Sequence, residues 1–208
     1  MVSLAVFGMI VFPAYFAKAK CGCQRINCTN NHRQIGLSYK QWSLDMQDPF
    51  PMQVPVTNGG TMELVSSGLA WIHFAVLSNE LNTPKVLFCP QENARGRIVA
   101  NTFGDQRLLE GAIVFTNDNN LTYFVGVDAS GTNGSMWLSG DRNLTNRLNP
   151  KHGLLSFPTN RPTGWTADLH NGQGNVALAD GSVQQYNNAR LRVGLVETGV
   201  QRVRLAMP

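Results

Sequence analysis

Charge is in short supply in this chain. Aspartate, glutamate, lysine and arginine make up 14% of its 208 residues, and the net charge is +4. Nine of the 17 basic residues sit near the two ends, at Lys18, Lys20, Arg25, Arg33 and Lys40, then at Arg190, Arg192, Arg202 and Arg204. A nucleic-acid binder needs a dense basic patch interleaved with aromatics, so this spread reads as solvated surface and argues against nucleic acid as a partner. There is no Gly-x-Ser-x-Gly, no His-Glu-x-x-His and no glycine-rich phosphate loop, which removes the common nucleophile, zinc-protease and nucleotide signatures. Long internal repeats and low-complexity tracts are also missing. Cysteine is sparse, at Cys21, Cys23, Cys28 and Cys89. The spacing Cys21-Gly-Cys23-x4-Cys28 is not that of a zinc finger, and no second Cys or His pair follows at a suitable distance. One or two disulfides, or free buried thiols, are the readings left. A Cys28–Cys89 bridge is favoured for a domain outside the cytoplasm. Cys21 and Cys23, two apart on a helix, point away from each other, which leaves them free or bonded to a neighbouring subunit.

What is present is 43% hydrophobic residues and 20 glycines, enough for one domain with a core. The many glycine- and asparagine-rich loops suit an extracellular or periplasmic protein. The run VSLAVFGMIVFPAYFA, residues 2–17, carries no charge and is apolar on all sides. As a helix it would reach about 24 Å, slightly short of the roughly 20 residues a bilayer core requires. Pro13 should kink it. From 28 to 46, Cys28, Ile35, Tyr39, Trp42 and Met46 form one apolar stripe at helical spacing, and Asp48-Pro49 ends it. Residues 1–48 are therefore expected to form one long helix, apolar all round at first and one-sided later. Residues 49–208 form the head. There the pattern predicts a second helix over 62–80 on the stripe Val65, Leu69, Ile72 and Val76, a strand in KVLFCP, and a hairpin of GAIVFT with LTYFVGV about NDNN. A strand in SMWLSG and a hairpin turning at Asp180-Gly181 complete it. The fold class is α+β, a long N-terminal helix packed on an antiparallel sheet, with a second helix and long loops.

Several pieces, in order along nearly the whole chain, resemble the type IV pilin-like and type II secretion pseudopilin-like proteins with a prepilin-type front end and a His-x9-Asp-Gly motif. The motif here is His170 followed by Asp180-Gly181. CTNNHRQIG is similar to the family's Cys-x-Asn-Asn helix, LFCP to its Cys-Pro strand, YFVG to a sheet strand, SGDRN to its Gly-Asp-Arg-Asn loop and FPAYFAKAK to the step after its apolar helix. With Pro13 aligned to the family's proline, Met1 falls inside that helix. The basic leader, cleavage site and helix glutamate then have no counterpart. The resemblance implies a pilin-like fold and a structural filament subunit. Such a subunit is anchored in the inner membrane and then assembles with copies of itself into an extracellular or periplasmic filament of the cell envelope. Val6, Phe7, Ile10, Phe12, Pro13 and Phe16 would lie in the filament core.

Other readings compete with this one. A membrane-anchored periplasmic binding domain keeps the helix and drops the filament. A hydrolase or metal enzyme would use Asp168 and His170, which a strand places on one face. No cofactor is expected beyond calcium, for which Asp141, Asp168 and Asp180 are the candidate oxygen ligands. His32, His73 and His152 look scattered, and His170 reads as a hydrogen-bonded residue at the edge of the final hairpin. Trp137 and Trp165 read as core in preference to sugar platforms.

Overall fold

The computed structural model describes residues 25–94, 96–104, 111–146 and 151–208. The apolar run 2–17, with Val6, Phe7, Ile10, Phe12, Pro13 and Phe16, lies outside these residues, as do Cys21 and Cys23. Among the described residues no helix is long and apolar enough to cross a membrane.

The first described element is helix α1, residues 25–45. Cys28, His32, Ile35 and Tyr39 are fully buried and Trp42 nearly so, a stripe at spacings of four and three that only one helix face can supply. Met46, expected to extend the stripe, lies past the helix and is exposed. The chain leaves α1 through two left-handed residues, Gln47 (φ 62°) and Asp48 (φ 82°). There the Asp48 amide donates back to the Ser43 carbonyl at 2.8 Å, satisfying an end-of-helix acceptor before Pro49.

The sheet is antiparallel and six-stranded. Its strands are β1 (Tyr123–Gly126), β2 (Trp137–Asp141), β4 (Gly153–Pro158), β6 (Gly174–Leu178), β7 (Val183–Tyr186) and β8 (Arg202–Met207), in the order β4-β8-β1-β2-β6-β7. Short strands β3 (Leu144–Thr145) and β5 (Gly164–Trp165) pair separately. Both sheet faces are covered. Tyr123, Val125 and Leu138 pack in the core that includes the α1 stripe. Their alternating neighbours Phe124 and Trp137 pack in a second core with Trp165 and with Leu191 and Leu195 of α4 (Asn188–Glu197). The fold is thus α+β, as expected, and both tryptophans are core. Helix α4 gave no clear sequence signal. Val193 and Val196 are exposed while Gly194 is buried, which blurs the one-sided pattern on which helix recognition depends.

Three expected elements are corrected. Residues 62–80 do not form one helix. A 3-10 segment (Met62–Ser67) is followed by a break at Gly68, then α2 (Ala70–Ala75) and α3 (Ser78–Leu81). Gly68 has φ +70°, and a Cβ there would stand 2.3 Å from the Leu154 amide of β4. The chain breaks because it presses on the sheet where only glycine fits. The face turned inward is Ala70, His73, Phe74 and Leu77, and Leu69 is exposed. KVLFCP opens as a 3-10 turn (Pro84–Leu87), with Thr83 accepting from the Lys85 amide and proline at the first position. The hairpin about NDNN does not form. The Asn101 amide donates to Ile113 and the Phe115 amide to Thr102, because both edges of β1 are already taken by β2 and β8.

His73 is fully buried, with its Nδ1 2.8 Å from Thr61 Oγ1. Burial pulls its pKa from 6.5 down to about 4, so the folded state holds it neutral. That contribution is complete above the unfolded value of 6.5 and is lost as pH falls towards the folded one. We expect acidification from pH 7 to 4 to cost the wild type about 3 kcal/mol more than a His73→Asn variant, measured by denaturant unfolding at both pH values. Equal losses in the two proteins would remove His73 as the titrating group.

Candidate functional site

Five side chains from distant parts of the sequence meet under the sheet. Cys28 and His32 come from successive turns of α1. Cys89 follows the 3-10 turn Pro84–Leu87, Asp141 ends β2, and His170 lies in the turn before β6. Cys28, His32, Cys89 and Asp141 are fully buried and His170 is 4% exposed.

Local structure explains each placement. On α1, residues four apart share a face, so Cys28 and His32 point together at the sheet. The His32 ring lies 4.3 Å from that of Tyr123 in β1, and Asn31 Nδ2 donates to the Tyr123 hydroxyl at 3.1 Å. The Cys89 amide donates to Thr122 Oγ1 at 2.6 Å, pinning this segment beside β1. Asp141 and its neighbours come from the quoted Gly-Asp-Arg-Asn stretch, and three of the four residues have distinct partners. Asp141 Oδ2 accepts from the Asn175 amide at 2.6 Å and from Asn175 Nδ2 at 2.9 Å. Arg142 makes a two-pronged bond, at 2.5 and 2.7 Å, to Glu92, whose side chain is closed to solvent. Asn143 Nδ2 donates to the carbonyls of Thr166, Leu169 and Gln173 and so holds the His170 turn closed. In that turn His170 (φ 51°) and Asn171 (φ 52°) are both left-handed, a conformation that costs a non-glycine residue about 1 kcal/mol or more.

The centre is electrostatically coupled. Asp141 Oδ1 lies 3.4 Å from His32 Nε2 and Oδ2 lies 3.5 Å from His170 Nε2. Cys89 Sγ stands 3.6 Å from the same His170 Nε2. Burial opposes ionisation of Asp141, but hydrogen bonds from His170 and His32 outweigh it and hold the carboxyl well below the usual carboxylate range. Burial opposes a charged His170 too, yet Asp141 and Cys89 raise it to about 10. The contact with Cys28 brings Cys89 down to about 6, and the same contact together with burial pushes Cys28 far up. One thiolate, shared between the two sulfurs and facing His170, is the arrangement these contacts favour.

The contacts do not form a nucleophile–base–carboxylate relay. In a relay the carboxylate and the nucleophile bind opposite nitrogens of the imidazole. Here both face Nε2, and Nδ1 of His170 is buried without a hydrogen-bond partner among the described residues. The groups converge on a point. Among the described residues, Cys28, Cys89 and His170 form the group able to hold a metal ion, their ligand atoms lying within 4.8 Å of one another.

The sequence-based site is revised accordingly. Cys28 and Cys89 are neighbours, as expected, but stand as free thiols and not as a disulfide. The three carboxylates expected to bind calcium are not gathered. Asp141 is in the buried centre, Asp168 is exposed and accepts from Thr166 Oγ1 at 2.9 Å, and Asp180 is exposed and accepts from the Ser182 amide at 2.8 Å. Asp168 and His170 do not share a strand face either. They lie in a turn, one exposed and the other buried. Asp180-Gly181 turns the β6–β7 hairpin as expected, with Gly181 at φ +91°. That turn also packs on α1, where Gly36 approaches the Gly181 Cα. His170 sits not at the hairpin's edge but at the centre. His32 belongs there too, and a histidine at a core position of an otherwise apolar stripe, four residues after a cysteine, was the signal for it. Comparison with protein-family models, with curated proteins and with solved structures finds no match for this chain.

Proposed function

We propose that this chain is a structural subunit of a type IV pilus-like or pseudopilus filament of the cell envelope, with a pilin-like head assembled through its N-terminal helix. The observation that carries the reading is the two-faced character of α1. One stripe is buried in the head. On the opposite face Ile26, Leu37 and Leu44 are 58%, 66% and 75% exposed. At about 100° per residue these three fall within about 20° of one another and about 180° from the buried stripe. Surface apolar residues are ordinary singly, but these three recur along one line of the helix, a seam interrupted by exposed Asn30 and Arg33. In sequence the same helix is preceded by the uncharged run 2–17. A second copy of this chain, offering the same helix, is the occupant such a seam fits, because apolar helices side by side bury what each leaves exposed alone.

The quoted resemblance supports the reading. Cys28, Asn31, Cys89, Asp141, Asn143 and His170 all come from the motif pieces and meet in one place. On this reading the centre serves the head's stability. The test is to shear appendages from cells producing the full chain and to label them with antibody in electron microscopy. Labelled fibres are expected. Val6→Glu should leave the head's unfolding transition unchanged and abolish the fibres. Normal fibres from Val6→Glu would overturn the assembly reading. Protein confined to the inner-membrane fraction in both strains would favour an anchored monomer.

A further inference from the structure

The convergence of two thiols and one imidazole nitrogen has a chemical meaning that filament assembly does not require. Both thiols and the ring are buried, and their ligand atoms lie within 4.8 Å of one another. A tetrahedral ion with sulfur at about 2.3 Å and imidazole nitrogen at about 2.0 Å sets those two atoms about 3.5 Å apart. Cys89 Sγ and His170 Nε2 are 3.6 Å apart. Two sulfurs with one nitrogen suit zinc, and they reject calcium and magnesium, which take oxygen ligands. Nε2 of His170 faces both the thiol and the carboxylate, an odd use of one nitrogen for hydrogen bonding but a natural one for a ligand atom with an acidic neighbour. The frame is preorganised. Asn143 clasps the His170 turn, Thr122 pins the Cys89 backbone, and Asn175 and His32 fix the Asp141 carboxylate. These bonds fix the backbone that carries Cys89 and His170 and the carboxylate beside them.

We propose that Cys28, Cys89 and His170 bind one zinc ion, with the Asp141 carboxylate beside the fourth position. Two thiolates neutralise the ion, so its burial carries little net charge. The ion links α1, the segment after the 3-10 turn Pro84–Leu87 and the turn before β6, three pieces that are far apart in the chain. Its role is structural, since the site is closed to solvent. The competing fate of the same atoms is oxidation, in which the two sulfurs lose two electrons and two protons to an external thiol oxidant and join as a disulfide. Metal and disulfide exclude each other.

The experiment uses the full chain, purified in detergent without chelator. Metal content is measured by elemental analysis, and thiols are titrated before and after addition of a strong chelator. One zinc per chain is expected, with two thiols reactive only after chelation. Cobalt exchanged into the wild type should give the intense visible bands of a tetrahedral ion and a thiolate-to-cobalt charge-transfer band. The double variant Cys21→Ser/Cys23→Ser should keep both signals, and Cys89→Ser should lose the charge-transfer intensity or the ion itself. The cobalt spectrum of the wild type stands even if Cys89→Ser fails to fold. A Cys28–Cys89 disulfide in the non-reduced peptide map, an octahedral cobalt spectrum without charge transfer, or loss of zinc in Cys21→Ser/Cys23→Ser with the head still folded would each overturn the proposal. None of these outcomes bears on the fibre test.

Discussion

Asp141→Ala is expected to lower the unfolding free energy of the head by about 3–5 kcal/mol, the range for removing one partner of a buried charged network. For a chain of this size each kcal/mol moves the midpoint by about 2–4 °C, so a fall on the order of 10 °C should appear in thermal unfolding. The reason lies in what one carboxylate holds. It faces His32 at 3.4 Å and His170 at 3.5 Å, and it accepts from the Asn175 amide and side chain, all in a region closed to water. Without it the Asn175 amide and both imidazoles lose an acceptor where no solvent replaces it, and the cost of leaving buried polar groups unmet exceeds the worth of the bonds themselves. The controls are the two other aspartates that the sequence groups with it. Asp168→Ala should stay within about 0.5 kcal/mol, because the side chain is exposed and, among the described residues, accepts from Thr166 Oγ1. Asp180→Ala should cost about 1 kcal/mol through its bond to the Ser182 amide in the hairpin turn. If Asp168→Ala matched Asp141→Ala, the network would not be the source of stability.

That contrast marks how far the residues alone could be read. Features set by neighbours along the chain were legible. The buried stripe of α1, the strand at Trp137–Asp141 and the turn at Asp180-Gly181 each follow from periodicity or from one glycine needing positive φ. Features set by tertiary approach were not. The helix expected over 62–80 breaks because Gly68 meets the backbone of β4, a strand more than eighty residues further on. The strand expected before Asn117 finds no free edge because β8, the last strand of the chain, has taken it. The buried centre is the extreme case. Cys28, Cys89, Asp141 and His170 carry no mutual spacing that a motif could register. The resemblance's pieces named these four one by one, but as a disulfide, a calcium ligand and a hairpin histidine; that they share one centre with His32 follows only from the fold.

Helix α1 offers the second large effect, in two residues that sit two apart. Ile35→Glu is expected to leave no folded head at all, and Leu37→Glu to leave the head's stability within about 0.5 kcal/mol of wild type. Ile35 is fully buried among Cys28, Tyr39 and the sheet core. An unpaired carboxylate there costs on the order of 5 kcal/mol or more, comparable with the whole margin of a typical domain. Leu37 lies on the opposite side of the same helix and is 66% exposed. A charge there meets water in the isolated head, but in a filament it would meet the apolar seam of the next subunit. Circular dichroism of the two variants should show one unfolded and one native protein. Electron microscopy of sheared appendages should then show no fibres, or sharply fewer, from Leu37→Glu. Native stability with undiminished fibres would place the seam outside the contacts between subunits, and the exposed stripe of α1 would no longer support assembly.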